Sequence, residues 1–191
     1  MPEVKSVPLE MATAIFEYSH EARGLMWKYP DPSLFSSDKE YKRFLTRWAG
    51  KKAGGPSVGG RGNVTHVTVR INGRSFSEHR VVWEMLKKPL SYGEWIDHVD
   101  RDPTNNRIEN LRLCDNVTNQ HNRDAPSNNT SGFKGVSFSR KMNKWKVATR
   151  SKGEYFHRGY FNTRAEAAVA AAKQSLKIHG KFSPYYPAHL A

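Results

Sequence analysis

Cysteine is almost absent: Cys114 is the single one in 191 residues. One thiol forms no internal disulfide and supplies no CxxC zinc site, and its isolation fits a reducing cytoplasm. Long apolar runs are missing too, so no stretch reaches the length of a membrane span. The opening "MPEVKSVPLEMATAIF" has no basic start followed by an apolar core, so neither a secretory signal nor a membrane partner is expected there. Acid is in the minority: 18 Asp and Glu stand against 31 Lys and Arg, for a net charge of +13. That balance points to a polyanionic partner, most often nucleic acid. At 37% hydrophobic the chain can build modest cores, in one domain or two small ones, but not one large core.

Residues 1–62 read as a mixed, partly helical region. "SSDKEYKRFLTRWAG" opens on a Ser cap, Ser36 or Ser37, and places Tyr41, Phe44, Leu45 and Trp48 on one helical face. "KKAGGPSVGGRGN" (51–63) reads by composition as a flexible, basic, Gly-rich loop. Val64, Val67, Val69 and Ile71 are strand formers, and Asn72-Gly73 is the type I′ signal, which predicts a hairpin over 64–71 and 74–78. "EHRVVWEMLKK" predicts a short helix with Val82, Trp83 and Leu86 inward, ended by Pro89; His79 at its start reads as a packed or capping histidine rather than a ligand. A strand "EWIDHVD", a turn "DPTNN", a strand "IENLRLC" and a helix "DNVTNQHNR" capped by Asp115 follow. "DAPSNNTSG" (124–132) is a linker by composition. Beyond it, "FKGVSFS", "KWKVATR" and "GEYFHRGYF" are strands at hairpin spacing. They lead into "TRAEAAVAAAKQSLKIHG", a helix with a Thr163–Glu166 capping box, Lys177 and His179 in its last turn, and Gly180 beyond its end. The fold class expected is α+β.

The unusual stretch is "WIDHVDRDPTNNRIENLRLC" (95–114), where a strongly basic chain crowds Asp97, Asp100 and Asp102 around one histidine. Hydrolysis of a phosphodiester needs a base for water and a cation on the scissile phosphate. A hard divalent ion prefers carboxylate and amide oxygens. Asp97 and His98 are neighbours on a strand and point to opposite faces, so one can hold metal while the other faces water. If the following helix folds back on the strands, Asn119 can complete a metal site opposite Asp97. Asn110 can hydrogen-bond the backbone of the long loop and thereby fix His98. Taken singly, each residue has a structural reading: Asp-Pro and Asn-Asn are turn signals first. Asp100 and Asp102 suit a turn better than a site. Arg112 and Arg123 suit a phosphate clamp and plain surface charge equally.

"IDHVDRDPTNNRIENLRLCDNVTNQHNR" resembles the HNH endonucleases, specifically those of the phage homing type. The resemblance extends upstream through the hairpin and "HRVVWEML" to "FEYSHEARGLMWK" (16–28). It implies a ββα-metal (His-Me finger) nuclease core over 63–123, with His98 as general base and Asn110 as the structural middle residue. It implies Asp97 and Asn119 as ligands of Mg²⁺ or Mn²⁺; Asn119 in the last place, rather than His, favours these ions over zinc. Residues 133–187 resemble the plant Apetala-two (ethylene-response-factor-like) DNA-binding domain. That implies a three-stranded antiparallel sheet plus one helix, with the sheet face in the major groove. The matching contact positions are Lys134, Ser137, Ser139, Ala148, Arg150, Tyr155 and His157. Ser137, Ser139 and Tyr155 stand where the plant family has arginine, and His157 where it has tryptophan, so the plant target sequence does not carry over. Alternation alone puts Lys146, Ala148 and Arg150 on one face and Trp145, Val147 and Thr149 on the other. Arg140, Lys141 and Lys144 in the turn are further phosphate candidates.

The function expected is a metal-dependent, site-directed DNA endonuclease of the homing type. It would nick one strand of double-stranded DNA per active site, as a monomer or a weak dimer on DNA, in the host cytoplasm if phage-encoded. The rival is a DNA-binding regulator on an inactive nuclease fold, which the intact Asp97, His98 and Asn119 disfavour. A zinc-stabilised interaction domain is disfavoured by the lone cysteine.

Overall fold

A computed structural model describes residues 6–58, 64–122, 125, 128–151 and 153–187. The chain divides into two compact units, Met1–Leu113 and Cys114–Ala191. The first contains α1 (Leu9–Ile15), β1 (Phe16–Ser19), β2 (Gly24–Trp27), α2 (Asp38–Arg47), β3 (Gly55–Val58), β4 (Val64–Ile71), β5 (Arg74–Ser77), α3 (Glu78–Leu86) and β6 (Trp95–His98), with β7 (Leu111–Cys114) running to the boundary. Strands β1 and β2 form one ribbon, β6 and β7 another, and β3-β4-β5 an antiparallel sheet.

Strand β4 alternates as its sequence demands: Val67, Val69 and Ile71 are buried, Thr68 is half-buried and Arg70 is exposed. Its hairpin to β5 turns at Asn72 and Gly73, whose φ values of 49° and 74° are those of a type I′ turn. The strand β3 is a correction to the loop expected over 51–63. Gly55 to Val58 pair antiparallel with β4, from Gly55↔Thr68 to Val58↔Val64. The preceding glycine serves close approach rather than flexibility, since a Cβ on Gly54 would lie 2.8 Å from Val67 Cγ1 and 2.9 Å from the Thr68 carbonyl oxygen. Residues 59–63 of that expected loop lie outside the described residues.

Helix α3 turns a stripe of Glu78, Val81, Val82 and Met85 to the core. This i, i+3, i+4, i+7 pattern leaves Leu86 off the edge of the stripe and 42% exposed, whereas the sequence reading had it inward. Helix α2 is capped by Ser37, whose Oγ accepts from Glu40 N, and its Phe44 ring meets Trp27 edge-on at 5.4 Å between centroids. The core joins Val7, Ala12, Phe16, Leu25 and Ala53 to Val69, Ile71, Phe76, Val81, Val82, Ile96 and Leu111. Residues from the first third of the chain thus share one interior with the strand that carries His98.

In the second unit, α4 (Asn116–Asn122) is opened by Asp115, whose Oδ1 accepts from Thr118 N at 2.7 Å. Strands β8 (Val136–Ser139), β9 (Lys144–Ser151) and β10 (Glu154–Phe161) lie in the antiparallel order β10-β9-β8. Helix α5 (Arg164–His179) starts at a complete Thr163–Glu166 capping box. Its small Ala167 and Ala171 let it sit close on Val136 and Val147. Of the linker expected over 124–132, residues 124, 126 and 127 lie outside the described residues. Residues 129–132 are hydrogen-bonded into the unit, with Ser131 buried and its Oγ donating to the Val136 carbonyl at 2.8 Å. Among the described residues no helix is long and apolar enough to cross a membrane.

One glycine couples the N-terminal hairpin to α3. A Cβ on Gly24 would fall on the carboxylate of Glu78, which is fully buried. Gly24→Ala is expected to lose about 1–3 kcal/mol of stability, read as a lower urea midpoint at an unchanged m-value. An unaltered midpoint would show that this packing is slack.

Candidate functional site

His98 is the last residue of β6, where the chain leaves the ribbon for a long loop. Val99 N donates to the Asn110 carbonyl at 2.9 Å and closes the base of that loop. The Asn110 side chain, buried, does the rest. Its Oδ1 accepts from Asp100 N at 3.0 Å, and its Nδ2 donates to Asp100 Oδ1 at 2.9 Å and to the Asn105 carbonyl at 2.8 Å. Asp100 also accepts from Asp102 N and from Asn105 Nδ2, and Asp102 Oδ1 accepts from the backbone and hydroxyl of Thr104. The Thr104 contacts, ahead of the nearby cationic groups, hold the Asp102 carboxyl below its ordinary value. Both acids act as turn residues, the reading the sequence favoured. Arg101, whose N–H closes the tight turn onto the His98 carbonyl, takes a left-handed φ of 66°, a conformation that costs a non-glycine residue energy.

The two neighbours on β6 have separate partners. Asp97 is buried, and its Oδ2 accepts from Arg112 Nε at 2.9 Å and Nη2 at 2.7 Å across the ribbon. Arg112, read from sequence as a phosphate clamp or surface charge, therefore has its guanidinium on the proposed metal ligand. His98 Nε2 lies 2.9 Å from Asn106 Oδ1. Asn106 is fully buried; its Nδ2 donates to Glu78 Oε2 at 2.7 Å, and Glu78 Oε1 accepts from Leu25 N at 2.7 Å. Burial raises the Glu78 carboxyl above its ordinary value, against the pull of the Leu25 N–H, the Asn106 amide and Lys52. The β1–β2 hairpin grips the same loop from outside. Asn106 N donates to the Arg23 carbonyl, Arg107 Nε to the His20 carbonyl and Ile108 N to Tyr18 Oη, all within 3.1 Å.

Glu78 and the bridging role of Asn106 were not read from the sequence. Glu78 is an acid at the head of an apolar helix, and Asn106 sits in an Asn-Asn pair that has a complete explanation as a turn. The usable signal was Glu78 itself, placed on the stripe that buries Val81 and Val82. His79 follows the packed-histidine reading, stacked edge-on against His98 with ring centroids 5.2 Å apart. Its Nδ1 is buried with no hydrogen-bond partner among the described residues. No group of three or more His, Cys, Asp or Glu able to hold a metal occurs among the described residues. Asn119 lies half-buried on α4 in the second unit, its N–H donating to the Asp115 carbonyl.

The second unit presents a sheet face away from its helix. Register pairs Ser137 with Lys146, Ser139 with Lys144, Tyr155 with Arg150 and His157 with Ala148, so these side chains share that face. A bulge between His157 and Gly159 resets the alternation, which pairs Tyr160 with Lys146 and adds it to the same face. Tyr160 was missed because strict period-two counting turns it toward the helix. The rings of His157 and Tyr160 stand 5.1 Å apart, and Lys146 Nζ lies 5.3 Å from the centre of the Tyr155 ring. Arg140 is exposed in the β8–β9 turn. Lys134 precedes β8, and its carbonyl accepts from Tyr185 Oη. Arg123 lies outside the described residues.

Residues 78–123 match the family profile of the HNH endonucleases. Among curated proteins the chain is 33% identical to Protein 3.8 of Escherichia phage T7 over 109 residues, which is 56% of this chain and 88% of that protein. No solved structure matches.

Burial, and then electrostatic interaction with His98, His66 and Arg80, push the His79 pKa from 6.5 down to about 3. The unfolded imidazole binds a proton that the folded one refuses. Stability is therefore complete above the unfolded value and drains as pH falls toward the folded one, by up to about 1.4 kcal/mol per pH unit. Urea unfolding between about pH 7 and pH 5 should show a steeper acid loss in the wild type than in His79→Phe; equal slopes would contradict a neutral, buried His79.

Proposed function

We propose, for a chain that carries an HNH endonuclease domain at residues 78–123, a metal-dependent DNA endonuclease of the homing type that hydrolyses one phosphodiester bond per active site. The observation that carries this reading is the end of β6: a histidine anchored through Nε2, next to a buried carboxylate, on a loop that Asn110 ties to its own base. His98 accepts a proton from the attacking water, and Asn110 keeps the loop that aims it. Asp97 and Asn119 are the residues that would hold Mg²⁺ or Mn²⁺, and the place of Asn119 in that pair rests on the family pattern. Carboxylate and amide oxygens are the donor types that a hard ion of this kind prefers. When bound, the ion supplies positive charge to the scissile phosphate and the leaving 3′ oxygen. Arg112 balances the charge of the buried Asp97 from the opposite strand.

The outer face of β8–β10 is the proposed DNA-binding surface, as in the Apetala-two-like resemblance. Lys144, Lys146, Arg150 and Arg140 suit phosphate contact, while Ser137, Ser139, Tyr155 and His157 suit groove contact. Lys134 keeps its place as a contact position of that resemblance, and Arg123 as a candidate phosphate clamp near the cut. A single site of this kind nicks, so a double-strand break calls for a second site or a second copy on DNA.

Supercoiled plasmid carrying phage DNA should be converted to open circle with Mg²⁺ and left intact with EDTA, and both Asp97→Ala and Asn119→Ala should lose the conversion. A gel shift without cleavage under any divalent ion would favour the rival, a DNA-binding regulator on an inactive nuclease fold. Affinity should fall with salt at a log–log slope of about −0.9 per phosphate neutralised. Replacing Lys144, Lys146 and Arg150 together by Ala should flatten that slope by about two to three units; an unchanged slope would remove this face as the DNA contact.

A further inference from the structure

We infer that Glu78 and Asn106 are positioning residues that fix the imidazole of His98 as its Nε2–H tautomer, leaving the lone pair that receives the water's proton on Nδ1. The inference rests on the reading of His98 as the general base. It follows from a one-way chain of donors and acceptors. Glu78 Oε1 accepts from Leu25 N at 2.7 Å and its Oε2 stands 2.7 Å from the Asn106 amide; we take Glu78 in its ionised form. A carboxylate accepts only, so Asn106 must turn its NH₂ group toward Glu78 and its carbonyl toward His98. At 2.9 Å from that carbonyl, Nε2 of a neutral imidazole must carry the proton, because two facing lone pairs would repel. The second ring nitrogen is then the basic one.

The surroundings hold this chain in one orientation. Glu78 and Asn106 are both fully buried, so water does not compete for either. The Asn106 backbone is pinned by its N–H to the Arg23 carbonyl at 3.0 Å. The carboxylate lies in the space above Gly24, which a side chain at that position would fill. An anchored imidazole of known tautomer is what a general base needs, since a rotated ring or a proton on the wrong nitrogen removes the acceptor from the water.

The test is the nitrogen spectrum of histidine in ¹⁵N-labelled full-length protein, with His98→Gln used to assign the His98 signals. The expected result is a pyrrole-type Nε2 and a pyridine-type Nδ1 in the wild type, and a shift toward the Nδ1–H form in Asn106→Leu. A wild-type ring protonated on Nδ1 overturns the inference even if Asn106→Leu fails to fold; so does a tautomer that Asn106→Leu leaves unchanged. In cleavage assays Asn106→Leu should lower kcat on the order of 10²-fold at an unchanged KM for DNA, whereas a KM effect alone would mark the pair as merely structural. Full cleavage by His98→Ala would overturn the reading of His98 as the base, and the tautomer would still report on the chain of hydrogen bonds itself.

Discussion

One buried amide ties the first unit together at its chemical end. The Asn106 side chain spans the Glu78 carboxylate at the head of α3 and the His98 ring at the end of β6, while its backbone N–H reaches the β1–β2 turn. Three segments distant in sequence thereby meet at one residue. A neutral side chain with both a donor end and an acceptor end is required, because one neighbour is an acceptor and the other has a proton to give. The hydrogen-bonded partners also make burial of the amide tolerable, since an unpaired polar group there would cost several kcal/mol.

The arrangement trades stability for definition. A carboxylate placed in a small core loses water on all sides, and burial raises the Glu78 carboxyl accordingly. A neighbouring histidine is held neutral against His98, and Arg101 adopts a left-handed backbone just beyond the His98 ring. Each feature works against folding on its own, and each lies within a few residues of His98 in sequence or in space. Such a concentration of unfavourable local choices is expected where a site, rather than a core, decides the sequence. The surrounding aromatic and aliphatic interior, from Phe16 and Trp27 to Val81 and Val82, offsets it.

Local patterns legible in the sequence were those whose cause is also local. Asn72-Gly73 dictates its own turn, Thr163 and Glu166 close their own capping box, and Val67, Val69 and Ile71 face one way because successive strand residues alternate. The hydrogen bonds of Asn110 to the loop backbone were accessible for the same reason, since both ends belong to one short stretch. What stayed hidden depended on partners far along the chain. Gly54 and Gly55 look like flexible loop until β4 lies beside them. Glu78 looks like a helix-opening acid until Leu25 and Asn106 close on it, and Arg112 looks like surface charge until β6 places Asp97 opposite. Tyr160 was lost to a single bulge, which no residue type announces.

The two units divide the work in the proposed account: the first holds the base and a carboxylate, and the second offers a basic, aromatic sheet face to the duplex. The central claim is that His98 takes the water's proton, and its rate effect is the direct test. Single-turnover nicking in Mg²⁺ should be compared for wild type and His98→Ala at equal DNA occupancy set by gel shift. The account predicts a fall of about 10²-fold or more with affinity unchanged. Wild-type rates in His98→Ala would contradict it and leave the Asn106 clasp as a structural feature of the fold.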